Sequence, residues 1–108
     1  MIPEIWCEMS VNDKQFKFSK MIALLVLFAY EKGYKIQLGD ARARDGHKDN
    51  SLHYVSLAID INLFKDGNYL EKTEDHQALG EFWESIGGSW GGRFQDGNHY
   101  SLEHDGRK

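Results

Sequence analysis

The sequence contains only one cysteine, Cys7, and one proline, Pro3, in 108 residues. A single cysteine excludes an internal disulfide, so the fold has to be stable through its core alone and suits a reducing compartment at least as well as an oxidising one. Internal repeats, low-complexity tracts and linkers rich in Pro, Gly or Ser are also absent from the sequence. We therefore expect one domain over residues 1–108, in which residues 1–8 could form a loose N-terminal tail.

The sequence also lacks an excess of positive charge. It has 13 lysine and arginine residues and 17 aspartate and glutamate residues, which gives a formal net charge of -4. The basic residues are scattered along the chain, so no surface is expected to attract nucleic acid or an anionic membrane. We exclude nucleic acid as the expected partner and expect the chain to act as a monomer.

No apolar run is long enough to span a bilayer. The longest is residues 21–30, MIALLVLFAY, which is about half of the length that a membrane helix needs. Lysines precede this run, as in a signal peptide, but its composition favours a buried helix of the core. We expect this helix to have Ser19 as its N-cap and to end before Gly33.

Alternating apolar and polar residues predict two strands after this helix. Residues 34–38 alternate with a period of two and end at Gly39. Residues 57–64 place leucine and isoleucine side chains on one face of a strand, and Ala58, Asp60 and Asn62 on the other. The next three residues after Lys65, Asp-Gly-Asn, have the chemistry of a turn.

The C-terminal half predicts a second helix and a last strand. Residues 75–86 carry apolar side chains at helical spacing, with Thr73 or Asp75 as a possible cap and glycine at Gly87 to end the helix. Residues 98–104 alternate again. The order helix, strand, strand, helix, strand predicts an α+β fold, with helices packed on a mostly antiparallel sheet.

Two tryptophan and two histidine residues are not assigned to a candidate functional site. We expect Trp83 to lie in the core and Trp90 to pack there as well, although Trp90 could also line a cleft. His47 and His76 are interpreted as surface residues of a loop and of a helix start.

Asp60 is unusual because the rest of its strand is apolar. Burying a carboxylate without a partner costs roughly several kcal/mol, so Asp60 needs a cation or several hydrogen-bond donors. His53 lies seven positions earlier, and histidine and aspartate are both common zinc ligands. Two ligands alone are weak evidence, and an ion pair of Asp60 with Arg42 or Arg44 explains this spacing more simply.

The last predicted strand offers a third ligand. Its alternation puts His99 and His104 on opposite faces, so they cannot both bind one metal, and His99 is favoured because it follows a glycine-rich segment. Asp96 precedes His99 by three residues across a turn. A catalytic zinc site needs three protein ligands, an open position for water and a carboxylate that transfers protons. These requirements match His53, Asp60, His99 and Asp96.

The spacing of these residues resembles the signature of the zinc D,D-peptidase family (peptidase family M15). The family includes D-alanyl-D-alanine carboxypeptidases and phage L-alanyl-D-glutamate endopeptidases. The resemblance runs from about Phe18 to the C-terminus, and its most specific parts are Ser51-x-His53, Ala58-x-Asp60, Trp90-Gly91-Gly92 and Asp96-x-x-His99.

The resemblance implies a role for each candidate residue. His53, Asp60 and His99 would bind Zn²⁺, Asp96 would transfer protons, and Arg42 would hold the substrate. It also implies the small α+β zinc fold of this family, which is similar to the fold of hedgehog-type modules.

In its motifs and its compactness, the sequence most resembles the phage enzymes. This resemblance implies a zinc peptidase that cleaves peptidoglycan stem peptides between L-alanine and D-glutamate. We expect such an endolysin to stay in the cytoplasm of the host bacterium until lysis gives it access to the cell wall. Two alternatives remain open. One is a D-alanyl-D-alanine carboxypeptidase or dipeptidase, and the other is a non-catalytic zinc module that binds proteins, against which Asp96 argues because a structural zinc site needs no proton shuttle.

Overall fold

The computed structural model describes residues 10–39 and 57–103. Its helices are α1 (Val11–Glu31) and α2 (Gln77–Ser85), and its strands are β1 (Lys35–Leu38), β2 (Ala58–Lys65), β3 (Asn68–Leu70), β4 (Ser89–Trp90) and β5 (His99–Ser101). Short 3₁₀ helices at Thr73–His76 and Gly91–Phe94 precede α2 and follow β4. The predicted α+β class is confirmed. The tail expected at residues 1–8 lies outside the described residues.

The sheet is antiparallel and is organised around β2. Its strand order is β1-β2-β5-β4, and β3 pairs with the C-terminal part of β2. The first half of β2 pairs with β5, and the second half lies between β1 and β3. Because β2 contacts three other strands, its alternation decides which side chains enter the core and which lie on the opposite face of the sheet.

The alternation predicted for β2 is confirmed. Ile59, Ile61 and Leu63 are buried against the helices, whereas Asp60 and Asn62 are half-buried on the other face. The hydrophobic core, which this apolar face forms with the helices and to which Ala58 from the other face also belongs, consists of Phe18, Met21, Leu25, Ala29, Leu57, Ala58, Ile59, Ile61, Leu63, Leu79, Trp83, Trp90, Tyr100 and Leu102. Both tryptophans that were assigned to the core are therefore found there.

Helix α1 begins earlier than the sequence predicted. Its N-cap is Ser10, whose hydroxyl accepts a hydrogen bond from the Asp13 backbone N–H at 3.1 Å. The expected cap, Ser19, is wrong, because Ser19 lies inside the helix and donates to the Phe16 carbonyl at 2.9 Å. The predicted end of the helix is confirmed by Gly33, whose φ of +91° is the left-handed conformation that glycine adopts readily.

The second helical region is also more complex than expected. The predicted helix over residues 75–86 is a 3₁₀ turn followed by α2, and the Asp75 side chain accepts a hydrogen bond from the Lys72 N–H at 3.2 Å. Two short strands, β3 and β4, were not predicted, and β5 is shorter than the strand expected over residues 98–104. No helix among the described residues is long and apolar enough to cross a membrane.

The interpretation of His76 as a surface residue is wrong. Its side chain is only 1% exposed, and a hydrogen bond of 2.8 Å joins its Nδ1 to the hydroxyl of Tyr100 in β5. Burial lowers the pKa of His76, and the Leu70 backbone and the Asp75 carboxylate act in the opposite direction. Burial also raises the pKa of Tyr100, so both partners of this buried hydrogen bond are held in their neutral forms.

His76 should make the stability of the protein depend on pH. Because its pKa is lower in the folded chain than the ordinary value of 6.5, the unfolded chain binds the proton more readily. The free energy of unfolding should therefore fall as the pH drops below the ordinary value. We expect His76→Gln to lower stability by about 1–3 kcal/mol at pH 7.5 and to reduce this pH dependence.

Urea unfolding between pH 7.5 and pH 5 measures both effects. The control is Tyr100→Phe, which loses the hydrogen bond but keeps the buried imidazole, and should retain the pH dependence. An equal loss of stability on acidification in the wild type and in His76→Gln would contradict the assignment.

Candidate functional site

The pairing of β2 with β5 brings two predicted site residues together. Asp60 is the direct antiparallel partner of His99, and directly paired residues project from the same face of a sheet. The Nδ1 atom of His99 lies 3.9 Å from Oδ1 of Asp60. His99 is 8% exposed and Asp60 is half-buried, so the pair lies at the base of the sheet face that points away from the helices.

The separation of these two atoms suits a shared metal. It is too long for a hydrogen bond. Two ligands about 2.1 Å from a tetrahedral zinc ion stand about 3.4 Å apart, which is close to the observed separation. An imidazole and a carboxylate are also typical zinc donors, so the two residues fit the metal that the sequence predicted.

Backbone hydrogen bonds on both sides of β2 hold the pair in place. The Asp60 carbonyl accepts from the Gly39 N–H at 2.7 Å, next to the end of β1. On the other side, the Ile61 N–H donates to the Asn98 carbonyl at 2.9 Å, directly before His99. The position of each side chain is therefore fixed by the sheet rather than by a free loop.

Asp96 lies at the start of the turn that leads into β5. Its carbonyl accepts from the His99 N–H at 3.0 Å, and its own N–H donates to the Gly91 carbonyl at 2.8 Å. The Asp96 side chain is exposed. The turn expected between Asp96 and His99 is present, and it places an accessible carboxylate three residues from a candidate ligand.

Trp90 connects this turn to the core. Its indole N–H donates to the Gly97 carbonyl at 2.8 Å, and its side chain is 3% exposed. The ring occupies space that a side chain at Gly80 or Gly92 would fill, since a Cβ on either residue would overlap it. Trp90 therefore holds the turn from the core side of the sheet, which agrees with its assignment to the core.

Gly91 is required by the close approach of the turn to β5. A Cβ at this position would overlap the Asp96 carbonyl oxygen and come within 2.7 Å of the Cβ of His99. The chain lies so close here because the carbonyl of Gly91 bonds the Asp96 N–H. Any larger residue at this position has to displace one of the two candidate site residues.

Two features of the site were missed by sequence reasoning. Arg93 makes a bidentate ion pair with Glu84 of α2, at 3.0 and 2.6 Å, and lies over the Trp90 ring at 5.5 Å. Its hydrogen bonds lower the pKa of Glu84. The adjacent Phe94 is 52% exposed, and its ring centroid is 5.9 Å from that of His99. The only sequence signal was a charged and an aromatic residue within a glycine-rich segment.

The remaining site predictions fall where the structure gives no description. Arg42, His53 and His104 lie outside the described residues. Within residues 10–39 and 57–103, no group of three or more His, Cys, Asp or Glu side chains could hold a metal. Two of the three predicted ligands are therefore placed together, and the assignments of His53 and Arg42 stay predictions.

A protein-family model matches the segment of the chain that carries the candidate site. A family model of M15 peptidases, described as D-alanyl-D-alanine carboxypeptidase, matches residues 44–102, which is more than half of the chain. The matched segment contains His53, Asp60, Asp96 and His99, and excludes α1 and Arg42. A search of the curated proteins gave no match.

Replacing Gly91 should damage the site. In Gly91→Ala the added Cβ has to push the Asp96 carbonyl or His99 away, so we expect a loss of about 1–3 kcal/mol in stability. We also expect zinc affinity to fall by about 10–100-fold, the usual effect of disturbing a ligand's surroundings. Urea unfolding and competition with a chromophoric chelator measure the two effects.

Gly33→Ala is the matched control. Gly33 has a positive φ but no atom within 4 Å of an added Cβ, so this change introduces backbone strain far from the site. It should lower stability and leave zinc affinity unchanged. The interpretation of Gly91 is wrong if both variants bind zinc equally well.

Proposed function

Because the chain belongs to the M15 peptidases, a family of zinc-dependent enzymes that act on peptidoglycan, we propose that it hydrolyses peptidoglycan stem peptides between L-alanine and D-glutamate. The observation that carries the proposal is the direct pairing of Asp60 with His99 on one face of the sheet. A proton-accepting carboxylate, Asp96, begins the turn beside them.

Asp60, His99 and His53 would hold the zinc ion. Bound zinc supplies a water of lowered pKa and polarises a carbonyl group. Asp60 and His99 reach one point from two paired strands, so their side chains are already oriented before substrate binds. His99 has to be neutral to serve as a ligand.

Asp96 would move the proton during the reaction. Its exposed carboxylate can accept a proton from the attacking water and pass it to the amine that leaves. Arg42, by resemblance to the family, would hold the substrate and stabilise the negative charge that develops on the scissile carbonyl oxygen. A donor in such a position typically contributes about 3 kcal/mol to transition-state stabilisation.

A second candidate function is the removal of terminal D-alanine. The matching family model is described as D-alanyl-D-alanine carboxypeptidase, and the same catalytic residues could serve that reaction. The L-alanyl-D-glutamate bond is preferred because the motifs of the sequence resemble those of the phage endopeptidases. On the same basis we propose an endolysin role, in which the protein stays in the cytoplasm of the host bacterium until lysis.

Mass spectrometry of digested peptidoglycan tests the proposed bond. We expect the zinc-loaded protein to create new amino termini on D-glutamate, and a chelator to abolish them until zinc is restored. Asp96→Asn should keep zinc but reduce the rate by about 10²–10⁴-fold, because the proton acceptor is lost. Asp13→Asn, which changes an exposed aspartate in the first turn of α1, is the matched control and should keep full activity.

Other products would change the conclusion. Release of D-alanine alone would assign the carboxypeptidase reaction instead. No product from several types of cell wall, from protein shown to contain zinc, would contradict both reactions and favour a binding module.

Phe94 should contribute to substrate binding. Its half-exposed ring lies beside His99, where a bound peptide would cover it. Burial of that apolar surface is worth about 1–2 kcal/mol, so Phe94→Ala should raise KM by about tenfold. The rate at saturation should change little.

The matched control for this change is Phe16→Ala. Phe16 is 72% exposed on α1 and does not belong to the site. Steady-state kinetics on a stem tetrapeptide separates KM from kcat for each variant. The prediction fails if the two variants have the same KM.

A further inference from the structure

The sheet face that carries Asp60 and His99 continues along β2 with a different set of side chains. Asp60, Asn62 and Phe64 project from the same face because side chains alternate along a strand. The register adds the direct partners of Asn62 and Phe64 from the neighbouring strands. We call this set the outer strip, and it consists of Lys35, Gln37, Asn62, Phe64 and Tyr69.

The outer strip contains an aromatic pair that is only partly covered. The Phe64 and Tyr69 rings lie 5.2 Å apart between centroids, at an interplanar angle of 41°. Tyr69 is 51% exposed and Phe64 is half-buried. The turn between them is short and ordered by Asp66 and Gly67, both at positive φ. The rings are therefore presented on a rigid hairpin rather than on a long loop.

Polar groups and a cavity accompany the rings. The side chains of Lys35 and Gln37 are exposed, and Asn62 is half-buried beside Gln37. A cavity of about 560 Å³ lies at the β1 edge, where Lys35, Gln37 and Phe64 of the strip meet the C-terminal end of α1 and the β2–β3 turn, and neither Asn62 nor Tyr69 lines it. Ring faces combined with amide and ammonium donors suit a ligand that has apolar C–H faces and many hydroxyl and amide groups. N-acetylated sugars have this chemistry.

The distance between the strip and the candidate site matches the layout of peptidoglycan. Phe64 lies four residues after Asp60, which corresponds to about 13 Å at about 3.3 Å per residue. In a stem peptide, L-alanine is linked through a lactyl group to a sugar, so about six bonds, or roughly 7 Å, separate its carbonyl from the sugar ring. The first and second sugars of the glycan therefore fall within the distance covered by the strip.

We propose that the outer strip is a saccharide subsite that binds the N-acetylated glycan while the attached peptide lies at Asp60 and His99. The inference rests on the proposed function, because it assumes that the cleaved bond is the one next to the sugar-linked L-alanine. Tyr69 and Phe64 stack on sugar rings, and Gln37, Asn62 and Lys35 bind hydroxyl and acetamido groups. The protein then prefers stem peptides that are still attached to glycan over free peptides.

Sugar binding can be measured without any peptidase activity. The zinc-loaded, ¹⁵N-labelled protein is titrated with the trimer of N-acetylglucosamine, which contains no peptide bond to cleave, and amide shifts are followed by NMR. We expect shifts centred on residues 35–37 and 62–69, and about tenfold weaker binding in Tyr69→Ala. Gln37→Ala, another exposed position, should also weaken binding, whereas Phe16→Ala should not.

Kinetics gives the second test. The wild type should cleave a disaccharide-linked tetrapeptide with kcat/KM about tenfold above that for the free tetrapeptide, and Tyr69→Ala should remove most of this preference. The rate on free peptide should not change in Tyr69→Ala. If neither peptide is cleaved, the proposed function fails, and the sugar titration still decides whether the subsite exists.

Three results would overturn the subsite. The first is a titration without shifts in the strip, and the second is binding that Tyr69→Ala and Gln37→Ala leave unchanged. The third is a wild-type dimer in light scattering that Tyr69→Ala converts to a monomer, because the strip would then be an interface between two copies.

Discussion

The antiparallel pairing of β2 with β5 is the constraint on which the rest of the structure depends. It places Asp60 opposite His99 and directs Ile59 and Ile61 into the core, where they are 4% and 0% exposed. A shift of one residue would bury Asp60 among the helices and expose both isoleucines. Burial of the apolar face thus holds the two polar residues in position, so the energy that stabilises the fold also orients the candidate site.

The supports of the site come from the opposite side of the sheet. The indole N–H groups of Trp90 and Trp83 donate to the carbonyls of Gly97 and Ser101, which flank or end β5. Both rings pack where glycine leaves space for them, Trp90 on Gly80 and Trp83 on Gly88. Two large side chains therefore fix the ends of a three-residue strand that would be too short to be stable on its own.

The sequence predicted what depends on local periodicity and missed what depends on distant partners. The faces of β2 followed from strict alternation, and the chemistry of Asp60 and His99 suggested their meeting before the register was known. His76 was misassigned because its burial depends on Tyr100, 24 positions away. The start of α1 was missed because Ser19, next to the apolar run, suggested the N-cap, although the helix extends back over Lys14, which is 7% exposed. The two-residue strand β4 is too short to show a periodicity in the sequence. Arg42 and His53 lie outside the described residues, so their assignments stay predictions.

The two described ligand candidates are 39 positions apart in the sequence and adjacent in the fold. This pair is therefore not assembled in an unfolded chain, since closing a loop of that length costs entropy. A metal held by Asp60 and His99 would bind the folded state preferentially and stabilise it by mass action. It would also connect β2 to β5 at the same point where the tryptophan-supported turn begins. Catalytic metal binding and strand pairing would then reinforce each other, which gives a small core a second source of stability.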